Sequence, residues 1–262
     1  MQPPRPILAV AAVATLFISL PVIGLLQRTP WSSLDELLSS ESVIRPLLLS
    51  LLVSVIAALV VIVLGTPLAW TLARVDMPGR RVIRALVLLP MVLPPVVGGT
   101  ALLFALGRRG LIGQWLDRWF GLTLPFTTLG AIVAAVFVAL PFYVITVEGT
   151  LESGSDELEQ MASTLGAKPT GVLRRITLPR LLPAVGAGTA LAWARALGEF
   201  GATITFAGNL PGRTQTLPLA TFLALESDTE EALALSLVML AVSLAVLVPM
   251  RSRWLPGRRT EQ

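Results

Sequence analysis

No cysteine and no histidine occur among the 262 residues, and there is one lysine and one tyrosine. Without cysteine there can be no disulfide and no thiolate-bound metal. Without histidine the commonest metal ligand and the usual general base near neutral pH are missing too. Neither catalytic nor metal-binding residues are expected. Charged side chains are also scarce, at 14% of the chain against about 25% in soluble domains. No G-x-x-x-x-G-K-[ST] stretch is present, since the one lysine, Lys168, follows Ala167. The chain therefore lacks that kind of nucleotide-phosphate loop.

What is there is apolar: 54% hydrophobic residues and a mean hydropathy of +0.79. This is the composition of an integral membrane protein. A helix needs about 20 mainly apolar residues to cross the hydrocarbon core. Six stretches qualify, at 7–26, 46–73, 82–106, 127–147, 184–206 and 232–250, which predicts an all-α bundle of six transmembrane helices. Gly65 and Pro67 in the second stretch and "LPMVLPPVVGG" in the third predict kinks, because proline removes a backbone donor. The first stretch is longer than a signal-peptide core and has no A-x-A site after it, so an uncleaved helix is expected.

Orientation follows from the basic residues. With the N-terminus inside, the cytoplasmic segments hold 13 of the 20 and the outer loops six, with Arg195 left inside a span. The excess predicts both termini in the cytoplasm. The net charge of +4 is spread in short blocks beside apolar spans, a loop pattern that gives no nucleic-acid surface. The chain then divides into a first helix and extracytoplasmic loop (1–41), a core of five spans (42–250) and a cytoplasmic basic tail (251–262). The acidic "ESDTEE" falls outside, where Asp228, Glu230 and Glu231 suit a helix N-terminus.

Two features do not fit a plain bundle. The first is the cytoplasmic loop at about 151–183, "SDELEQMASTLGAKPTGVLRRITLPRLLP". Ser155 or Asp156 can cap a short helix whose apolar side is Met161, Ala162 and Leu165, and Gly166 sits at its exit, where positive φ is cheapest. Pro169 suits the first turn of a second helix carrying Val172, Leu173 and Ile176, stopped by Leu178-Pro179. The segment reads as a bent helical finger or as an amphipathic helix on anionic lipid. The second feature is Arg195 and Glu199 in the fifth span. Four apart, they share a helix face, and each costs roughly 2.5 to 3.5 kcal/mol at the bilayer centre if it faces lipid. Gly188 and Ala192 share their side; Gly186, Ala190, Ala194 and Gly198 line the other, so close neighbours are expected on both. The pair either fixes helix packing or lies beside an anion pathway.

The spacing Gly166, nine residues, then Ile176-x-Leu178-Pro179 resembles the EAA loop of binding-protein-dependent ABC importer permeases. The E-A-A positions hold Gln160, Met161 and Ala162, with Glu159 one place early. The resemblance implies a type I importer permease in which Glu159, Gln160, Met161, Ala162, Gly166, Ala167, Ile176, Leu178 and Pro179 form the coupling loop that docks on the ATPase. "RALGEFGATITFAGNLPGRTQTLPLA" and "LLPMVLPPVVGGTALLFALGRRGLIG" are similar to molybdate importer permeases, and sulfate permeases share the "ALGEFG" pattern. This implies a bacterial inner-membrane homodimer, two cytoplasmic ATPase subunits that hold the ATP and Mg, and an extracytoplasmic oxyanion-binding protein. Arg195, Glu199, Gly198 and Gly201 become pathway or packing residues; Asn209 and Arg213 become gate or binding-protein contacts, or a plain turn. Sulfate and tungstate remain alternative cargoes. A secondary transporter would leave the finger unexplained, and a membrane enzyme would lack a general base.

Overall fold

The computed structural model describes residues 4–153 and 157–254, and among these every regular element is helical. In chain order the helices are α1 (Arg5–Arg28), α2 (Leu34–Ser39), α3 (Glu41–Arg74), α4 (Arg80–Val92), α5 (Pro95–Leu106), α6 (Gly113–Phe120) and α7 (Thr128–Ser153). They continue as α8 (Glu157–Thr164), α9 (Pro169–Val172), a π-helical turn (Leu173–Thr177), α10 (Leu178–Leu197), α11 (Gly201–Phe206), α12 (Leu217–Ser227) and α13 (Thr229–Trp254). The expected caps at Ser155 or Asp156, and Arg258 and Arg259 of the tail, lie outside the described residues.

Four helices among the described residues are long and apolar enough to cross a membrane alone: α1, α3, α7 and the Thr229–Val246 part of α13. The third and fifth apolar stretches are each two helices. The third breaks at Leu93-Pro94, where Leu93 turns to extended backbone because it precedes proline. The fifth breaks at Gly198–Phe200. By contrast α3 runs on as one helix through Gly65 and Pro67. Asp228 accepts the N–H groups of Glu230 and Glu231 at 3.0 and 3.2 Å, the expected cap of α13.

The core lies where α3, α7 and α10 meet, with Val61, Ala57, Ala139, Val144 and Ala192 sealed between them. Hydrocarbon gives no solvent drive for helices to associate, so contact must come from small residues and hydrogen bonds. Tyr143 shows both. It is completely buried, its hydroxyl meets Thr66 Oγ1 at 2.6 Å, and its ring lies between Gly65 of α3 and Gly188 of α10. A Cβ at Gly65 would stand 2.6 Å from that ring, and one at Gly188 3.2 Å. Gly65 is thus a place of close approach. The fifth stretch is crowded on one side only: Gly188 and Ala192 are buried, while Gly186 has nothing within 4 Å of a built Cβ and Ala194 and Gly198 are exposed.

Gly65→Val should cost about 1–3 kcal/mol by overpacking, read as a lower unfolding midpoint in detergent, and Tyr143→Phe only about 0.6 kcal/mol, one membrane hydrogen bond. Equal losses in the two variants would show that the hydroxyl, and not the ring fit, holds this junction.

Candidate functional site

The finger forms largely as its residues demand. Helix α8 ends in paired bonds, Gly166 N–H to Ser163 O at 3.0 Å and Ala167 N–H to Ala162 O at 2.9 Å. This termination requires a left-handed residue after the helix, and Gly166 has φ +82°. Pro169 opens α9 as expected. The expected stop at Leu178-Pro179 is absent. Pro179 has no N–H to return to the carbonyl four residues back, and the turn widens instead, Leu178 N–H reaching Leu173 O. The finger therefore passes without a break into α10.

The side chains of α8 divide by role. Glu159 turns inward, its Oε1 accepting from the Thr177 hydroxyl at 2.9 Å and lying 3.6 Å from an Arg74 nitrogen. It ties α8 to the π-turn and to the end of α3. Met161 and Leu165 turn outward, 61% and 88% exposed; Ala167 is exposed beyond the helix end, and Gln160, also exposed, lies on the Glu159 side of α8. Ile176 is half-buried, whereas Leu178 and Pro179 are exposed. Behind α8 a cavity of about 660 Å³ opens between Trp70, Arg74, Glu159 and Leu173.

The expected charge pair forms and is asymmetric. Arg195 Nη1 meets Glu199 Oε2 at 2.6 Å, with Glu199 only 2% exposed and Arg195 27%. The other carboxylate oxygen accepts the Ala202 N–H at 2.6 Å, so Glu199 also caps α11 across the break. Gly201 is a packing residue, since a Cβ there would lie 2.7 Å from Pro95; at Gly99 one would lie 2.8 Å from Ala202 O. Helices α5 and α11 are thereby locked backbone to backbone. Gly198 is exposed, its built Cβ meeting Met239 only at 3.6 Å.

The Asn209–Arg213 segment is a fixed turn. The Thr214 hydroxyl accepts Leu210 N–H at 2.9 Å, Thr128 donates to Arg213 O at 2.8 Å, and Leu217 N–H is held by Ser50 Oγ at 2.6 Å. Asn209 Oδ1 is buried without a partner, and Arg213 is exposed. The two residues do not share a surface.

Another charged cluster escaped sequence analysis. Arg84 of α4 holds the buried Glu148 of α7, Nε to Oε1 at 2.8 Å with a shorter second contact, and Glu152 at 2.6 Å. Arg80 adds a 3.1 Å bond to Glu152. These residues are 64 to 72 positions apart, and no local pattern joins them. The only hint is that Glu148 and Glu152, four apart, both lie at the C-terminal end of an apolar helix.

A family model described as the binding-protein-dependent transport system inner membrane component matches residues 62–255. The chain belongs to this family. This inner membrane component is similar to the molybdenum transport system permease protein ModB of Mycobacterium tuberculosis, 42% identical over 250 residues that cover 95% of this chain and 94% of the relative. It is also similar to ModB of Escherichia coli, 44% identical over 211 residues, 80% and 92% of the two chains. Among solved structures it resembles a bacterial ABC transporter involved in import of the polysaccharide alginate, with TM-score 0.74 and 19% identity over 94% of each chain. That likeness speaks to fold.

Breaking a buried pair by removing one partner costs about 3–5 kcal/mol. Glu199→Ala in this inner membrane component should fall in that range, and Glu199→Gln, which keeps an acceptor for Ala202, should lose less. Thermal unfolding of the purified variants checks the order; a glutamine variant as damaged as the alanine one would show that the charge outweighs the cap.

Proposed function

We propose that the chain is the permease subunit of an ATP-driven ABC importer whose cargo is the oxyanion molybdate. The reading is carried by near full-length likeness to two permeases named for molybdenum transport. In it the six spans are α1, α3, α4 with α5, α7, α10 with α11, and α13, with both termini and α8 in the cytoplasm. Two copies enclose one pathway. Two ATPase subunits hold ATP and Mg, and an extracytoplasmic binding protein delivers the anion.

The finger is the coupling element. Met161 and Leu165 offer the ATPase an apolar knob, while Gln160 is exposed at the mouth of the cavity behind α8 and Ala167 is exposed beyond Gly166. Glu159, one place early for the family pattern, braces the finger from within through Thr177, so the docking contact is mainly apolar. Closure of the ATPase pair pushes α8; the π-turn passes the push to α10 with no intervening loop. The bundles then alternate between inward-open and outward-open states that the ATPase biases.

At the pathway, Arg195 has five guanidinium donors, and the one facing Glu199 is engaged. The others can meet a passing tetrahedral anion, while Glu199 cancels the charge and prevents tight trapping. On the outer side Arg213, rather than the inward-turned Asn209, is the contact for the delivery protein.

Four experiments test this. An ATPase should co-purify in about equal amount with the tagged permease. The reconstituted complex should take up labelled molybdate with ATP, competed by tungstate and weakly by sulfate; strong sulfate competition moves the cargo to sulfate. Gly166→Val, which forces a β-branched residue to positive φ at about 1–2 kcal/mol or more, should leave the protein in the membrane and abolish ATP-dependent uptake. Arg195→Ala should reduce uptake at least tenfold more than Arg28→Ala, an exposed arginine at the end of α1; equal uptake by the two would remove Arg195 from the pathway.

A further inference from the structure

Between α5 and α7 the chain makes a platform that transport does not explain. After α5 it folds straight back, Leu111 N–H to Phe104 O at 3.0 Å and Ile112 N–H to Ala105 O at 2.8 Å. Helix α6 then follows and ends at Gly121, φ +63°, with Leu122 N–H on Leu116 O at 3.2 Å. One side of α6 is anchored: Gly113 is buried, and Leu116 packs against Leu124, Val138 and their neighbours. Asp117 is held by Arg108 Nε at 3.0 Å and by the Thr123 hydroxyl at 3.3 Å. The Arg108 guanidinium keeps that carboxyl below the usual carboxylate range, so it stays ionised and paired.

Much of the remaining surface of α6 and its flanks is apolar, aromatic and uncovered. Leu111, Trp119 and Phe120 are 74%, 68% and 74% exposed, with Ile112 and Trp115 beside them. The two indoles lie 5.3 Å apart, and the Arg118 guanidinium sits 5.3 Å over the Trp115 ring. Three arginines, Arg108, Arg109 and Arg118, stand against the single Asp117 in this segment.

The geometry points to α6 as an interfacial lipid anchor: the Trp115–Trp119 face and the exposed Phe120 at the helix end lie in the headgroup boundary, with the arginines reaching phospholipid phosphate. Three observations select lipid as the occupant. Indole rings favour the membrane–water boundary, where an apolar body and a polar N–H are both served. The positive excess matches phosphate, and basic residues edging an apolar helical face are the mark of a helix lying in the interface plane. The patch also continues an apolar surface that needs lipid in any case, through Phe104, 74% exposed at the end of α5, and Leu129 at the start of α7. The inference rests on α5 and α7 reaching the bilayer surface at this end, and not on the identity of the cargo. A fixed α6 would hold the outer ends of α5 and α7 at constant depth while the inner ends move.

The absence of cysteine makes a direct test possible, because one introduced cysteine takes one nitroxide label. Phe120→Cys, Gln114→Cys on the exposed polar side of α6, and Val63→Cys, 70% exposed in the middle of α3, are labelled in the otherwise complete protein. Each is placed in nanodiscs of phosphatidylcholine and phosphatidylglycerol, and collision with oxygen and with a water-soluble nickel complex is measured by power saturation. The label at 120 should collide several-fold more with oxygen than with nickel, and the label at 114 the reverse. A label at 120 that meets nickel freely overturns the anchor in favour of an aqueous, protein-docking face. A label at 120 shielded from both reagents overturns it in favour of a protein contact already in place. The label at 63 separates the failures: if it too meets nickel, the membrane reading itself is wrong, whereas if it is lipid-bound and 120 is wet, only the anchor is.

Discussion

A buried carboxylate in a low-dielectric bundle must find every partner inside the protein, and Glu199 is the place where that demand shapes the rest. One oxygen takes Arg195 and the other takes the Ala202 N–H, so a single side chain neutralises the arginine and satisfies the start of α11. A break in a membrane helix is tolerable only where protein re-satisfies the freed backbone groups. Glu199 does so for the fifth stretch. The break in turn lets α11 lie against α5.

The two broken stretches belong together. Proline splits α4 from α5, the Gly198–Phe200 link splits α10 from α11, and α5 and α11 are locked through Gly99 and Gly201. Backbones in such contact move as one piece, because interlocked packing is bistable rather than continuously soft. The other halves are held differently: α4 by Arg84 and Arg80 on Glu148 and Glu152, α10 by the Tyr143 junction and its join to the finger. The finger is thus continuous with α10, and α4 is tied to α7.

Much of the finger was legible because its determinants are local. A glycine after a short apolar-faced helix signals a left-handed termination within six residues, and φ at Gly166 is positive as that pattern requires. Leu178-Pro179 misled for an equally local reason. Proline removes a donor, yet a π-turn can absorb the loss when the following residues are already packed as Leu181 and Ala184 are. The small residues of the fifth stretch were half legible: periodicity gave two faces, but only packing tells which face, that of Gly188 and Ala192, meets a neighbour.

By itself the sequence determined an all-helical membrane protein, the break of the third apolar stretch at its prolines, the bend of the finger and the pairing of Arg195 with Glu199; that the second stretch runs on unbroken and the fifth breaks at Gly198–Phe200 was left to the fold. Each feature so determined depends on chemistry confined to one or two helical turns. Only the tertiary structure decided that Tyr143 wedges between Gly65 and Gly188, that Arg84 finds Glu148 64 positions away, that Glu159 faces inward, and that the aromatic side of α6 is left uncovered. These depend on how helices cross and rotate about their axes, and inside hydrocarbon, where all apolar faces are alike to the solvent, no periodic pattern encodes that rotation.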